Sequence, residues 1–273
     1  MLPKMKIGDV EVSRLTVGSN PFTGKSHLSP DVDTDMKSYF SEEKAFEMLR
    51  KCEDVGINAV QSRGSMPIMD LIYRYRTSGG KLLWLAQTGK DLATFDDELD
   101  ELMKRSPSCV CIHGELSDQL YLYGRLDILP SLVDKIRKKN VPVGICSHFP
   151  EVLTYAEENN VRPDYYMASL YNISQPDRSH DKNPTGERFE DSDIPKMYKV
   201  IRSLSAPTIA LKILGAGRRC ETQDQVKAAF DEAFSSMKRG DGVLVGMFDK
   251  YEDQVSLNAR YTLEAIKKAE GDF

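Results

Sequence analysis

PVGICSHFP, residues 142–150, is the stretch from which the fold is read. Val143 to Cys146 form a short β-prone apolar run, and Ser147 and His148 end it in polar side chains. Pro150 then opens a segment whose apolar residues Val152, Leu153 and Ala156 have helical spacing. Proline suits a helix's first turn, where its missing N–H removes no hydrogen bond. A strand therefore hands over to a helix, with polar groups at the junction. CVCIHGE (109–115), LLWLAQTGK (82–90) and TIALKILGAG (208–217) repeat the arrangement. Buried strands that each end in a polar residue point to the catalytic face of a parallel barrel.

Working outward, residues 4–13 read as a hairpin turned at Gly8-Asp9. Strands are predicted at Arg14–Val17, Ile57–Gln61, Leu82–Gln87, Cys109–His113, the opening stretch, Tyr165–Leu170, Thr208–Lys212 and Gly242–Gly246. In the fourth, Cys109, Cys111 and His113 share one face; in the seventh, Thr208, Ala210 and Lys212 do, which aims Lys212 into the barrel. Helical stripes separate the strands. The first follows the cap Ser41 and stops at Gly56; others cover Pro67–Ser78, the segment from Thr94, and Leu126–Asn140 after a short turn at Asp118–Tyr123. Further helices start at Pro150, at Asp193, at a Thr222/Gln225 capping box and near Glu252. Two long polar loops, Pro21–Phe40 and Ser174–Ser192, are read as functional connections. Eight strands alternating with eight helices, with no linker, predict one α/β domain over residues 1–273. That domain is a TIM (β/α)8 barrel with an N-terminal β-hairpin. An open doubly wound sheet would need a glycine fingerprint after the first strand, where there is none.

Composition narrows the partners. The net charge of −5 gives no electrostatic reason to bind nucleic acid or an anionic membrane. No apolar run approaches the ~20 residues of a membrane span, and MLPKMKIGDV lacks a signal peptide's apolar core. Five cysteines, four of them within apolar segments, read as reduced packing residues of a cytoplasmic protein. The expected partner is a small-molecule substrate; the oligomeric state is left open.

The segments KMKIGDVEVSRLTVGS (4–19), GINAV (56–60), CVCIHGE, VPVGICSHFPEVL (141–153), Tyr171-Asn172 and GVLVGMFDKYEDQVSLN (242–258), in that order, resemble the aldo-keto reductase family across nearly the whole chain. The resemblance implies a barrel floored by the hairpin and carbonyl reduction with NADPH by an Asp, Tyr, Lys and His tetrad. At the matching positions this chain has Gln61 for the Asp and Gln87 for the Lys, no Tyr in SRGSMPIM, and His113 for the His. If NADPH is bound, the resemblance assigns it Tyr171 at the nicotinamide, Gly215, Gly217 and Gly246 along the loops, Lys250 in place of the family's basic residue (here Phe248), and Asn258 near the adenine.

The strand ends deliver Asn20, Gln61, Arg63, Gln87, His113, Ser147, His148, Tyr171 and Lys212 to one mouth, with Arg218 and Arg219 behind and His27 and His180 on the long loops. Histidine titrates near neutrality, so two at one mouth can take and give a proton. A desolvated lysine can act as base, electrophile or Schiff-base amine. The residues are therefore read as an aldo-keto-reductase-like enzyme with a rebuilt site, doing isomerase- or lyase-type acid–base chemistry on a small polyhydroxy or oxo (sugar-like) compound. His113, His148 and Lys212 are the expected catalytic residues, and Asn20, His27, Gln61, Arg63, Gln87, Tyr171 and Arg218 the expected substrate contacts. The alternatives are an NADPH-dependent aldehyde or ketone oxidoreductase with an atypical proton donor and a non-catalytic binding barrel. No cofactor is assigned with certainty. NADPH is one option, and a divalent metal on His113, His148 and Glu115 or a loop histidine is the weaker one, because no H-x-H or paired-carboxylate motif accompanies them.

Overall fold

The computed structural model describes residues 2–176 and 187–271. A hairpin of β1 (Lys4–Ile7) and β2 (Val10–Ser13) precedes eight parallel strands. These are β3 (Leu15–Gly18), β4 (Ala59–Arg63), β5 (Leu83–Gln87), β6 (Cys109–Ile112), β7 (Val143–Ser147), β8 (Tyr165–Ser169), β9 (Thr208–Leu211) and β10 (Gly242–Gly246). They close in sequence order, with β10 pairing β3, into one barrel. The α/β barrel with its N-terminal hairpin is the predicted fold.

Two apolar layers hold it. Outward residues such as Val17, Val60, Trp84, Val110, Ile145, Ala168 and Ala210 pack against the surrounding helices. Inside, Ala59, Leu85, Cys109, Cys111, Cys146, Tyr165, Met167, Ile209 and Leu244 form a second cluster with Met5, Ile7 and Val12 of the hairpin. The hairpin thus stoppers the floor. Burial pushes the Cys109 and Cys146 thiols up to about 12, as expected of packing cysteines. Glycine makes room where the interior crowds: a Cβ on Gly144 would lie 2.5 Å from the Tyr165 ring. Chemistry is confined to the opposite end.

Three elements depart from the sequence reading. The expected loop Pro21–Phe40 contains α1 (Pro30–Tyr39), whose cap Ser29 accepts from the Val32 N–H and is followed by Pro30, Asp31 and Asp33. α1 buries little beyond Met36, so it carries almost no apolar stripe. The helices that follow it in the barrel's first half are α2 (Glu42–Asp54), α3 (Ile68–Thr77) and α4 (Phe95–Met103), close to their predicted places. The expected turn at Asp118–Tyr123 is instead α5 (Gly114–Leu122), with α6 (Leu129–Arg137) beyond it. The others are α7 (Pro150–Glu158), α8 (Ile194–Ser203), α9 (Gln223–Ser236) and α10 (Gln254–Glu270).

The third departure concerns Lys212. Ile209 and Leu211, not Ala210, face the barrel interior, so strand alternation would turn Lys212 toward the helices. Its backbone is left-handed, with φ 62°, and this breaks the alternation and returns the side chain to the mouth. A non-glycine residue in that region is strained by roughly 1–2 kcal/mol, and such strain gathers at functional sites. Among the described residues no helix is long and apolar enough to cross a membrane.

Candidate active site

The polar end of the barrel encloses a cavity of about 810 Å³. His148, the residue after β7, sits on its wall with only 12% of its side chain exposed. Its Nδ1 lies 2.7 Å from Oδ2 of Asp118, on α5. Asp118 is held in turn: Oδ1 accepts from the Ser147 hydroxyl (2.6 Å) and the His148 N–H (3.1 Å), and Oδ2 from the Ser174 hydroxyl (2.7 Å). Burial pushes the Asp118 carboxyl up, but the imidazole and these donors outweigh it and leave the group below its ordinary range. An ionised carboxylate on Nδ1 requires the proton there. In the neutral ring the lone pair then sits on His148 Nε2, which has no partner among the described residues and lies at the cavity wall.

His113 has the opposite arrangement. It is the N-cap of α5, and its Nδ1 accepts from the Glu115 backbone N–H at 3.1 Å. An acceptor Nδ1 places the proton of the neutral ring on Nε2. Burial lowers its pKa to about 4, with Glu115 opposing and His148 assisting. His113 is thus a neutral N–H donor at the cavity wall.

This has a consequence for stability. A histidine in the unfolded chain takes up a proton near pH 6.5, whereas His113 in the fold does so only near 4. Between those values the unfolded chain binds more protons, so stability falls as the pH falls through that window. The expected result for His113→Gln, whose carbonyl can still accept from Glu115, is a shallower decline of the urea midpoint from pH 6.5 to 4.5 than in wild type. Parallel declines would show that the fold does not hold His113 neutral.

Lys212 lines the same cavity and forms no hydrogen bond or ion pair among the described residues. Burial lowers its pKa, and Glu187 is the strongest opposing charge. Gln61 and Gln87, on the inward face of β4 and β5, form the cavity floor; the Gln61 Nε2 is buried with no acceptor. Arg63, one inward position above Gln61, lines the wall, as does Lys25 on the loop after β3.

The described parts of the two long loops meet over the mouth. His27 Nδ1 pairs with Glu187 at 2.7 Å, and Asn20 Nδ2 lies 3.2 Å from its Nε2. Arg218 donates to the His27 carbonyl at 2.9 Å and stacks on Phe189 at 3.9 Å. These contacts span from the β3 side to the β8 side. His180 lies outside the described residues, as does much of the predicted loop Ser174–Ser192.

The structure brings Asn20, His27, Gln61, Arg63, Gln87, His113, His148 and Lys212 to one cavity, together with Gly217, Gly246 and Asn258. It corrects the placement of four others. Tyr171 is 1% exposed, stacks on Phe189 and points its hydroxyl to Asp191, beneath the 215–217 turn. Gly215 is buried with it, and Arg218 serves the roof. Lys250 pairs with Asp35 at 2.5 Å, away from the cavity lining. Tyr171, which the resemblance assigned to the nicotinamide, and Lys250, which it assigned to the family's basic position, therefore do not fit NADPH in those roles. No group of three His, Cys, Asp or Glu side chains within coordinating reach of one metal occurs among the described residues.

Asp118, Glu187, Ser174 and Lys25 were not singled out in the sequence. Asp118 lacks any local signal, because its partner lies 30 residues away along the chain.

No family model and no curated protein matches this chain. Among solved structures it is similar to an aldo-keto reductase from Bacillus halodurans in its holo form, with a TM-score of 0.64 and 11% identity over 100% of this chain and 98% of that one. A truncated 3-deoxy-D-arabino-heptulosonate 7-phosphate synthase from Thermotoga maritima matches with a TM-score of 0.54 and 13% identity, over 98% and 90% of the two chains. A 3-hexulose-6-phosphate synthase from Salmonella typhimurium matches with 0.55 and 13%, over 94% and 99%. At such identities the likeness defines the class as a (β/α)8 barrel with aldo-keto reductases among its structural neighbours.

Proposed function

We propose that the protein is a barrel enzyme that moves a proton on a carbon next to a carbonyl in a small polyhydroxy or oxo compound. The observation that carries this is the pair of cavity-facing imidazoles held in opposite tautomers, one by a carboxylate and one by a helix N-terminus. His148 Nε2 takes the proton as general base, and the C–H electron pair moves onto the carbonyl oxygen. His113 Nε2–H, a neutral donor, hydrogen-bonds that oxygen as its charge develops, and the Lys212 side chain offers further N–H donors nearby. The hydroxyl on the deprotonated carbon passes its proton to that oxygen, His148 returns its own proton to the former carbonyl carbon, and the new carbonyl forms where the C–H was broken, which isomerises the compound. Pairing a carboxylate-oriented base with a neutral histidine electrophile suits enolisation near neutral pH. The shared barrel outline with synthases named for sugar phosphates accords with a sugar-like substrate, while the chemistry rests on the residues here.

Two measurements test the reading. Long-range proton–nitrogen correlation spectra should show His113 as the Nε2–H tautomer and His148 protonated on Nδ1 across neutral pH. In deuterium oxide, triose, pentose and hexose ketose phosphates should be screened for protein-dependent wash-in of deuterium beside the carbonyl. Reversed tautomers, or no exchange in any member of that panel, would overturn the assignment.

A further inference from the structure

Resting on that proton-transfer reading, we infer that the substrate carries an anionic oxygen group, a phosphate monoester or a carboxylate, seated between Arg63 and Lys25 with the Gln61 amide beneath it. The carboxylates lining the cavity are mostly engaged: Asp118 with His148, Glu187 with His27 and Glu115 with Lys90. Glu252 has no cation partner among the described residues and lies toward the β10 side, bound by Gln223. By contrast, Arg63 and Lys25 form no hydrogen bond or ion pair through their charged ends among the described residues. They stand on neighbouring connections, since β3 pairs with β4, and burial and the Arg63 charge lower the Lys25 pKa against the opposing charges of Glu115 and Glu187. Two like charges that face one cavity with no directly paired carboxylate repel, and an anion between them removes that repulsion.

The second observation is independent of charge. Gln61 is 7% exposed, and its Nε2 lacks an acceptor, which is costly for a buried donor unless a ligand supplies one. Gln61 and Arg63 are two residues apart on one inward face of β4, so donor and cation are stacked at the same wall. An arginine fork and an amide suit an oxyanion's several lone pairs. β6 and β7, which carry the two histidines, lie two and three strands further round the barrel. A linear molecule anchored at β4 by its anionic end therefore presents its carbonyl end to the histidines.

The test is equilibrium binding by calorimetry at low ionic strength, with inorganic phosphate, glycerol 3-phosphate and glycerate as probes. The expected result is saturable binding of at least one probe, weakened about 10- to 100-fold in Arg63→Gln, as the loss of one charge-assisted contact implies. Lys25→Gln should weaken it less, Arg63→Lys should restore part of it, and Lys44→Gln, on the outside of α2, should leave it unchanged. Preference for glycerol 3-phosphate or for glycerate distinguishes the two anion types. No saturable binding of any probe to wild type, or equal affinity in Arg63→Gln, overturns the inference. Deuterium wash-in by the wild-type protein is measured beside the binding: exchange without anion binding overturns the anion site alone, and anion binding without exchange overturns the proton-transfer reading alone.

Discussion

His148→Asn is expected to lower the rate of deuterium wash-in by about 10²- to 10⁴-fold, the range that a positioned general base contributes. The asparagine Nδ2–H can replace the imidazole Nδ1–H toward Asp118, so the buried carboxylate keeps a donor and the melting temperature should hardly move. What disappears is the Nε2 lone pair at the cavity. Asp118→Asn should cost a similar factor by a different route. An amide donating to Nδ1 moves the imidazole proton to Nε2, turning the base into a donor while the side-chain shapes persist. In that variant the tautomer should reverse in the nitrogen spectrum, a change that a merely structural aspartate would not produce. Wild-type exchange rates in both variants would remove His148 and Asp118 from the chemistry.

The largest effect on stability is expected far from the cavity. Arg14, between β2 and β3, makes a bidentate ion pair with Glu270 at 2.6 and 2.9 Å, and its Nε donates to the Asp241 carbonyl at 2.6 Å. The two side chains are 4% and 11% exposed, and the guanidinium also stacks on Phe234. Arg14→Met should therefore lower the free energy of unfolding by about 3–5 kcal/mol, because it leaves a mostly buried carboxylate with only the Gly240 N–H at 3.4 Å and the exposed Arg239 at 3.8 Å. Burial alone would push the Glu270 carboxyl up; Arg14 reverses this and holds it below its ordinary range. A carboxylate lowered in the fold contributes stability above its unfolded pKa and loses it as the pH falls through the folded one. The deficit of Arg14→Met should thus be greatest at neutral pH and shrink below the carboxylate range. The double variant Arg14→Met/Glu270→Met should recover part of the loss. A deficit under about 1 kcal/mol in urea unfolding would show that the pair is not structurally important.

Much of the barrel was legible because its strands are buried on both faces and read as short continuous apolar runs. CVCI at Cys109–Ile112 and VGICS at Val143–Ser147 are such runs. The helices with a pronounced apolar stripe, such as α2 and α8, were equally legible. α1 carries a start signal, Ser29-Pro30-Asp31, but not the apolar stripe that marks a helix in sequence, since a helix lying across a cavity mouth needs little apolar face. α5 is short and follows its strand directly, with His113 serving as both strand end and cap.

At the site, the residue types were legible and the roles were not. His113 and His148 both end strands, and nothing local distinguishes them. One accepts a backbone N–H two residues away, while the other meets a carboxylate from a different helix. Tyr171 has an aromatic's promise at a strand end, yet packing beneath the 215–217 turn buries it. Lys212 reached the mouth for a reason alternation does not contain, a left-handed backbone at its own position.

From the chain's order of residues alone came a closed parallel barrel, its hairpin floor, and the set of polar side chains gathered at one end. Apolar periodicity encodes these directly. Only the folded molecule decided which imidazole gives a hydrogen bond and which receives one, which cations stand unpaired, and which loop residues are tied into the roof. Those outcomes depend on contacts between residues distant in sequence and on burial that shifts their charge, and neither is written in any local stretch.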